Sequence, residues 1–112
     1  MDTTRQQKVN SLLAKDLSEI FRRDSQVYAP GKMISVMEVR ITPDLSIANI
    51  YLSVFPSSEK DVVLKAVQVA TKEIRHELSQ KVKSQLRKVP DLRFYIDSSL
   101  DYIDKIDDLL KK

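Results

Sequence analysis

Two stretches of alternating side chains, 33–41 and 47–55, flank the pentapeptide Thr42-Pro43-Asp44-Leu45-Ser46. Successive side chains on a strand point to opposite faces, so this alternation marks two half-buried strands. Between them Pro43 presets a turn angle and Asp44 can bond its own neighbours. The chain is therefore committed to an antiparallel hairpin with one face to cover. In the first strand Met33, Ser35, Met37, Val39 and Ile41 share a face, opposite Ile34, Val36, Glu38 and Arg40. In the second, Ala48, Ile50, Leu52 and Val54 oppose Asn49, Tyr51 and Ser53. Glu38 and Arg40 stand two residues apart on one face, where they can pair or meet a partner.

Helical periodicity surrounds the hairpin. Val9, Leu12, Leu13, Leu17, Ile20 and Phe21 predict a helix over 5–23, with Thr3 or Thr4 able to cap it. Pro30-Gly31 then marks a turn, and Gly31 is the only glycine. After Pro56-Ser57-Ser58, the residues Val63, Val67, Ala70, Ile74 and Leu78 predict a helical region over 59–88, bent near Ala70-Thr71-Lys72. Pro90 closes it. Leu92, Phe94 and Ile96 alternate with Arg93, Tyr95 and Asp97 as a third strand, and 99–110 reads as a short amphipathic helix. The expectation is one α+β domain over 1–112, a three-stranded sheet with its helices on one face. Leu12, Leu17, Ile20, Ile50, Leu52, Val67, Leu78, Phe94 and Ile96 should form its core, with Phe21 and Phe55.

Composition narrows the function. No apolar run is long enough to cross a bilayer, and the first residues lack a signal-peptide pattern. Without cysteine there is no disulfide or thiolate chemistry, which fits a cytoplasmic setting. His76 is the only histidine and has no partner motif, so catalysis is not expected. Asp101, Asp104, Asp107 and Asp108 have helical spacing without the glycine of a calcium loop, and they read as a solvated face. No metal, cofactor or small-molecule substrate is expected. Residues 71–93 carry 7 basic and 3 acidic groups, and 1–32 carry 6 and 4. Positive charge concentrated in this way suits a polyanion.

Two motifs are more specific. Glu38-Val39-Arg40-Ile41-Thr42-Pro43-Asp44-Leu45-Ser46, followed by Ala48 and Tyr51, is one. Pro90-Asp91-Leu92-Arg93-Phe94-Tyr95-Ile96-Asp97-Ser98-Ser99 is the other. With the opening Arg5-Gln6-Gln7-Lys8-Val9, they resemble the ribosome-binding factor A family over 5 to about 110. The resemblance implies a KH-like fold of type II, in the order α-β-β-α-α-β. It implies a bacterial factor that binds the free small (30S) ribosomal subunit late in maturation. Such a factor assists 16S rRNA processing near the 5′ end and matters most in the cold. The family replaces the KH GxxG loop with an Ala-x-Gly kink, matched here by Ala70-Thr71-Lys72. Lysine tolerates a positive φ poorly, and it can equally add a phosphate contact.

Without a GxxG loop, RNA must be held by side chains and helix ends. At roughly 100° per residue, Lys72, His76, Ser79, Lys83 and Arg87 form one stripe beside the apolar face. The candidate RNA contacts are Arg5, Lys8, Lys72, Arg75, His76, Lys83 and Arg87. A merely solvated face is the competing explanation of the stripe. Tyr28, Tyr51 and Tyr95 can stack on bases, the last two from the exposed sheet face. The favoured reading is a monomeric RNA-binding assembly factor. The alternative is a protein-interaction module of KH-like fold with incidental RNA contact.

Overall fold

The structure, a computed structural model, describes residues 3–97, so the helix expected over 99–110 and its aspartates lie outside it. The first helix, α1, runs Thr4–Tyr28. It opens on a reciprocal cap. The Gln6 backbone N–H donates to Thr3 Oγ1 at 3.1 Å, and the Thr3 N–H donates to Gln6 Oε1 at 2.9 Å. Gln6 also donates through Nε2 to the Ile41 carbonyl, while Asn10 Oδ1 accepts from the Ile41 N–H at 2.8 Å. The helix thus occupies the outward backbone groups at one end of an edge strand, groups that burial would otherwise leave unpaired.

Strands β1 (Met33–Ile41) and β2 (Ile47–Phe55) form the antiparallel hairpin. Its turn is held by Asp44, whose Oδ1 accepts from the Thr42 hydroxyl at 2.7 Å and from the Ser46 hydroxyl at 2.8 Å. Leu45 takes a left-handed φ of 61° to close it. A 3-10 turn over Ser57–Glu59 leads into α2 (Lys60–Val69) and then α3 (Thr71–Val82). The last strand, β3 (Asp91–Ile96), lies parallel to β2 and gives the order β1-β2-β3. A parallel pair needs a long crossover, which α2 and α3 supply. The α-β-β-α-α-β order is the one anticipated.

The core is a single cluster. Ile50 and Leu52 of β2, Leu13, Leu17 and Ile20 of α1, Val67 of α2, and Ile74 and Leu78 of α3 are sealed from solvent. Phe21 meets Phe94 edge to face at 6.0 Å. Leu12 and Ile96 are only partly buried.

Three expectations are corrected. Alternation in β1 breaks at Met37, where a bulge sets Val36 opposite Leu52 but Glu38 opposite Tyr51. Ile34 therefore shares the core face with Val39 and Ile41, while Met33 and Met37 are exposed. One extra residue inverts every side chain beyond it. Phe55 is 72% exposed and not core. It ends β2 on the uncovered face, opposite Met33. Finally, helix ends at Val82 and not near 88. The Gln85 and Leu86 N–H groups both donate to the Val82 carbonyl at 2.8 Å, tightening the end so that 83–90 can turn back into β3.

The break between α2 and α3 falls at Ala70, with φ −87° and ψ 5°. No positive φ is needed there, and Lys72 is an ordinary residue in the first turn of α3. A lysine at the family's glycine position is therefore compatible with the bend.

Two measurements check this arrangement. Leu78→Ala should cost about 2–5 kcal/mol in urea unfolding, whereas Phe55→Ala should stay within about 0.5 kcal/mol of wild type. The Thr42 hydroxyl, then that of Ser46, holds the Asp44 carboxyl below its ordinary value. A carboxyl lowered in the fold stabilises above its unfolded value and loses that contribution as pH falls through the folded one. Asp44→Ala should therefore lower the melting temperature at neutral pH. The gap to wild type should close as pH drops below about 4.

Candidate nucleic-acid interface

The described cations divide into those with partners and those without. Arg23 bonds Asp24 at 2.9 Å and reaches across to Glu77, tying α1 to α3. Lys81 bonds Glu19 at 2.9 Å along the same seam. That hydrogen bond, with the Lys81 charge, holds the Glu19 carboxyl below its usual value. Burial, then the neighbouring Asp24, pushes Glu77 up. Arg40 pairs with Glu38 at 2.9 Å on β1, as their spacing allowed. These groups are engaged in holding the fold.

Arg75 joins them. Its Nε donates to the Pro90 carbonyl at 3.1 Å and an Nη to Val89 at 2.6 Å, with Asp91 at 3.8 Å. The guanidinium is a fixed fork, and here it grips the chain just before β3. Arg75 therefore acts on the interface by positioning the segment that carries Arg87 and Lys88.

The remaining sequence candidates are exposed and have no ion pair among the described residues. Lys72 and His76 lie on α3, with Lys83 at its C-terminal cap. Over 72–83 the stripe holds and runs about 16 Å along the flank turned away from the Glu77 and Lys81 contacts with α1. Ser79 donates its hydroxyl to the His76 carbonyl within the helix. Arg87 lies off the helix, on the turn that follows.

That turn brings distant segments together. A groove of about 420 Å³ is lined by Arg5 and Val9 of α1, Ile41 and Asp44 to Ser46 of the hairpin end, and Gln85 to Lys88 with Pro90. Arg5, Arg87 and Lys88 thus share one concavity whose only acid, Asp44, is already bonded within its own turn. Lys83 ends the α3 stripe two residues before the groove begins, so the two basic surfaces adjoin. Lys8 sits outside the groove lining, three residues along α1 from Arg5. Lys88 was not among the residues expected from sequence, because on the helix expected over 59–88 it falls about 160° round from Lys72, off the basic stripe. Its only sequence signal is adjacency to Arg87 ahead of Pro90.

Three lysine and arginine groups facing a concave end, continued along a helix flank, can engage successive phosphates of a nucleic-acid backbone. Among the described residues no group of three or more His, Asp or Glu side chains could hold a metal ion. No described helix is long and apolar enough to cross a membrane. Loss of the Arg75 grip is directly testable. Arg75→Ala should speed hydrogen exchange at the Asp91 amide, which bonds Ser46, and should cost about 1–2 kcal/mol of stability. Exchange at Asp91 equal to wild type would contradict this positioning role.

A family model described as ribosome-binding factor A matches residues 5–110. Ribosome-binding factor A of Christiangramia forsetii is 45% identical over 111 residues, which is 98% of this chain and 85% of the relative. That of Cytophaga hutchinsonii is 40% identical over 112 residues, covering 100% and 84%. The crystal structure of ribosome-binding factor A from Thermus thermophilus superposes with a TM-score of 0.69, covering 81% of this chain and 94% of that one at 22% identity. Coordinates of the Thermus thermophilus factor fitted into a cryo-EM map of a 30S–factor complex give 0.62, covering 80% and 91% at 23% identity. At those identities the structural likeness is one of fold, and it agrees with the helix and strand order found here. With a family model spanning nearly all of its length and relatives 40–45% identical along it, the chain belongs to the ribosome-binding factor A family.

Proposed function

We propose that this protein binds the free small (30S) ribosomal subunit and assists late maturation of its 16S rRNA. Processing near the 5′ end and growth in the cold are the steps it serves. Family membership supports the reading, as does the 30S complex described for the Thermus thermophilus factor. The observation in this chain that carries it is the basic concavity of Arg5, Arg87 and Lys88, continued by Lys83 and Lys72 along α3. The protein works as a monomer in the cytoplasm. It transforms no substrate: it holds rRNA segments in register while they fold and are trimmed.

Phosphate contacts fix position and orientation on a nucleic acid and release counterions, so affinity falls with salt. The α3 stripe and the turn after it are rigidly carried, because Arg75 and the core residues Ile74, Leu78 and Val82 set their direction. A protein-interaction module with incidental RNA contact would keep its hold on the 30S subunit when these cations are removed.

Changing Lys72, Lys83 and Arg87 together to Ala should leave the circular dichroism spectrum intact, since all three are exposed. On small-subunit RNA, each lost phosphate contact should lower the slope of log affinity against log salt by about 0.7–0.9. Wild type should co-sediment with free 30S subunits, and the triple variant should be depleted there. Enrichment of wild type in polysomes, or a folded triple variant with unchanged affinity and slope, would count against the reading.

A further inference from the structure

The described helices cover one face of the sheet, and among the described residues nothing covers the other. On the open face, Tyr51 of β2 and Tyr95 of β3 are register partners, their rings stacked 5.5 Å apart and 26° from parallel. Arg40 reaches over the Tyr51 ring from the β1 side at 6.0 Å. Its Nε is held by Glu38 at 2.9 Å. One stack therefore crosses all three strands in the order Arg40, Tyr51, Tyr95. Arg40 and Tyr51 are held by their neighbours, and Tyr95, 41% exposed, ends the stack on β3, beyond which no described strand lies.

We propose that this stack is a platform for an unpaired base of single-stranded RNA, which adds to it on the outward face of Tyr95. This rests on the reading of the protein as an rRNA-binding factor and gives that reading a second, uncharged contact. An aromatic ring offers every base a π-face, and a ring already oriented by its neighbours loses little freedom on binding. Gln68 and Thr71 border a depression with Tyr95, where Gln68 Nε2 already donates to the Phe94 carbonyl at 3.5 Å and the Thr71 hydroxyl to the Val67 carbonyl at 3.2 Å, which leaves their oxygens to accept from a base edge. Phe55 and Met33, both exposed, extend the apolar surface along the open face.

Electrostatics do not carry this contact. Glu38 offsets Arg40, and Asp91 and Asp97 offset Arg93 along β3, so the open face has no excess of positive charge. Stacking and counterion release are therefore separable. Loss of the Tyr95 ring should weaken binding while leaving its salt dependence unchanged, whereas loss of the α3 cations should change that dependence.

The experiment titrates the full chain into an eight-nucleotide single-stranded RNA carrying 2-aminopurine at its centre, over a salt series. Wild type and Tyr95→Phe should both quench the fluorophore, because the ring is kept. Tyr95→Leu, with circular dichroism and urea midpoint as folding controls, should lose the quenching. It should bind about tenfold more weakly with an unchanged salt slope. Full quenching by Tyr95→Leu, or absence of quenching by wild type, overturns the proposal. Either result leaves co-sedimentation with 30S subunits to decide the broader function separately. If Tyr95→Leu releases the 30S subunit while oligonucleotide binding and quenching persist, the face holds a ribosomal protein and the base platform is wrong.

Discussion

Burial of the alternate side chains of β2 beneath three helices is the contact on which the rest of the molecule depends. β2 is the central strand, paired antiparallel to β1 and parallel to β3, so its backbone is satisfied on both sides. Its residues Ala48, Ile50, Leu52 and Val54 meet α1, α2 and α3 in one continuous core. Buried polar groups at the margins are bonded: Gln6 bridges its own cap and the Ile41 carbonyl, and no described buried side-chain polar atom lacks a partner. On the other side of the sheet, which none of the described helices covers, Arg40, Tyr51 and Tyr95 stack.

The same closure sorts the basic residues. Where α1 and α3 meet over the core, Arg23 and Lys81 are drawn into pairs with Glu77 and Glu19. Where α3 turns back toward β3, Arg75 is drawn onto backbone carbonyls. Exposed ion pairs of this kind contribute little stability individually, and here their main effect is to orient elements. Lys72, Lys83, Arg87, Lys88 and Arg5, without ion pairs among the described residues, are left on the flank of α3 and at the adjoining end of the molecule. That surface, like the groove between α1 and β1 lined by Lys15, Arg22 and Lys32, attracts a polyanion by charge.

Much of this was legible in the residues themselves. The hairpin, its Asp44-centred turn and the third strand follow from local rules, because strand and helix periods and turn chemistry act over a few residues. The bend at Ala70, by contrast, was expected only from the length of the helical region and the family resemblance. The misreadings have a common cause. Nothing in Met33–Ile41 announces the bulge at Met37, since both faces of β1 carry apolar side chains and the choice is made by β2 across the ladder. Phe55 looked like core because it follows Val54, but parity along β2 sends it to the open face. The apolar spacing of Leu78, Val82 and Leu86 runs on past the real end of α3, which is set by the need to return to β3.

By itself, the sequence determined the order of the elements among the described residues, the face of β2 that is buried, the family, and a basic flank on α3. Tertiary structure alone decided that Arg5 joins Arg87 and Lys88, that Arg75 is held by carbonyls, and that Tyr51 lies against Tyr95. Those juxtapositions come from the parallel pairing of β2 with β3 and from packing between segments dozens of residues apart. Local periodicity carries no information about such pairings, because their energy exists only once the chain has closed on itself.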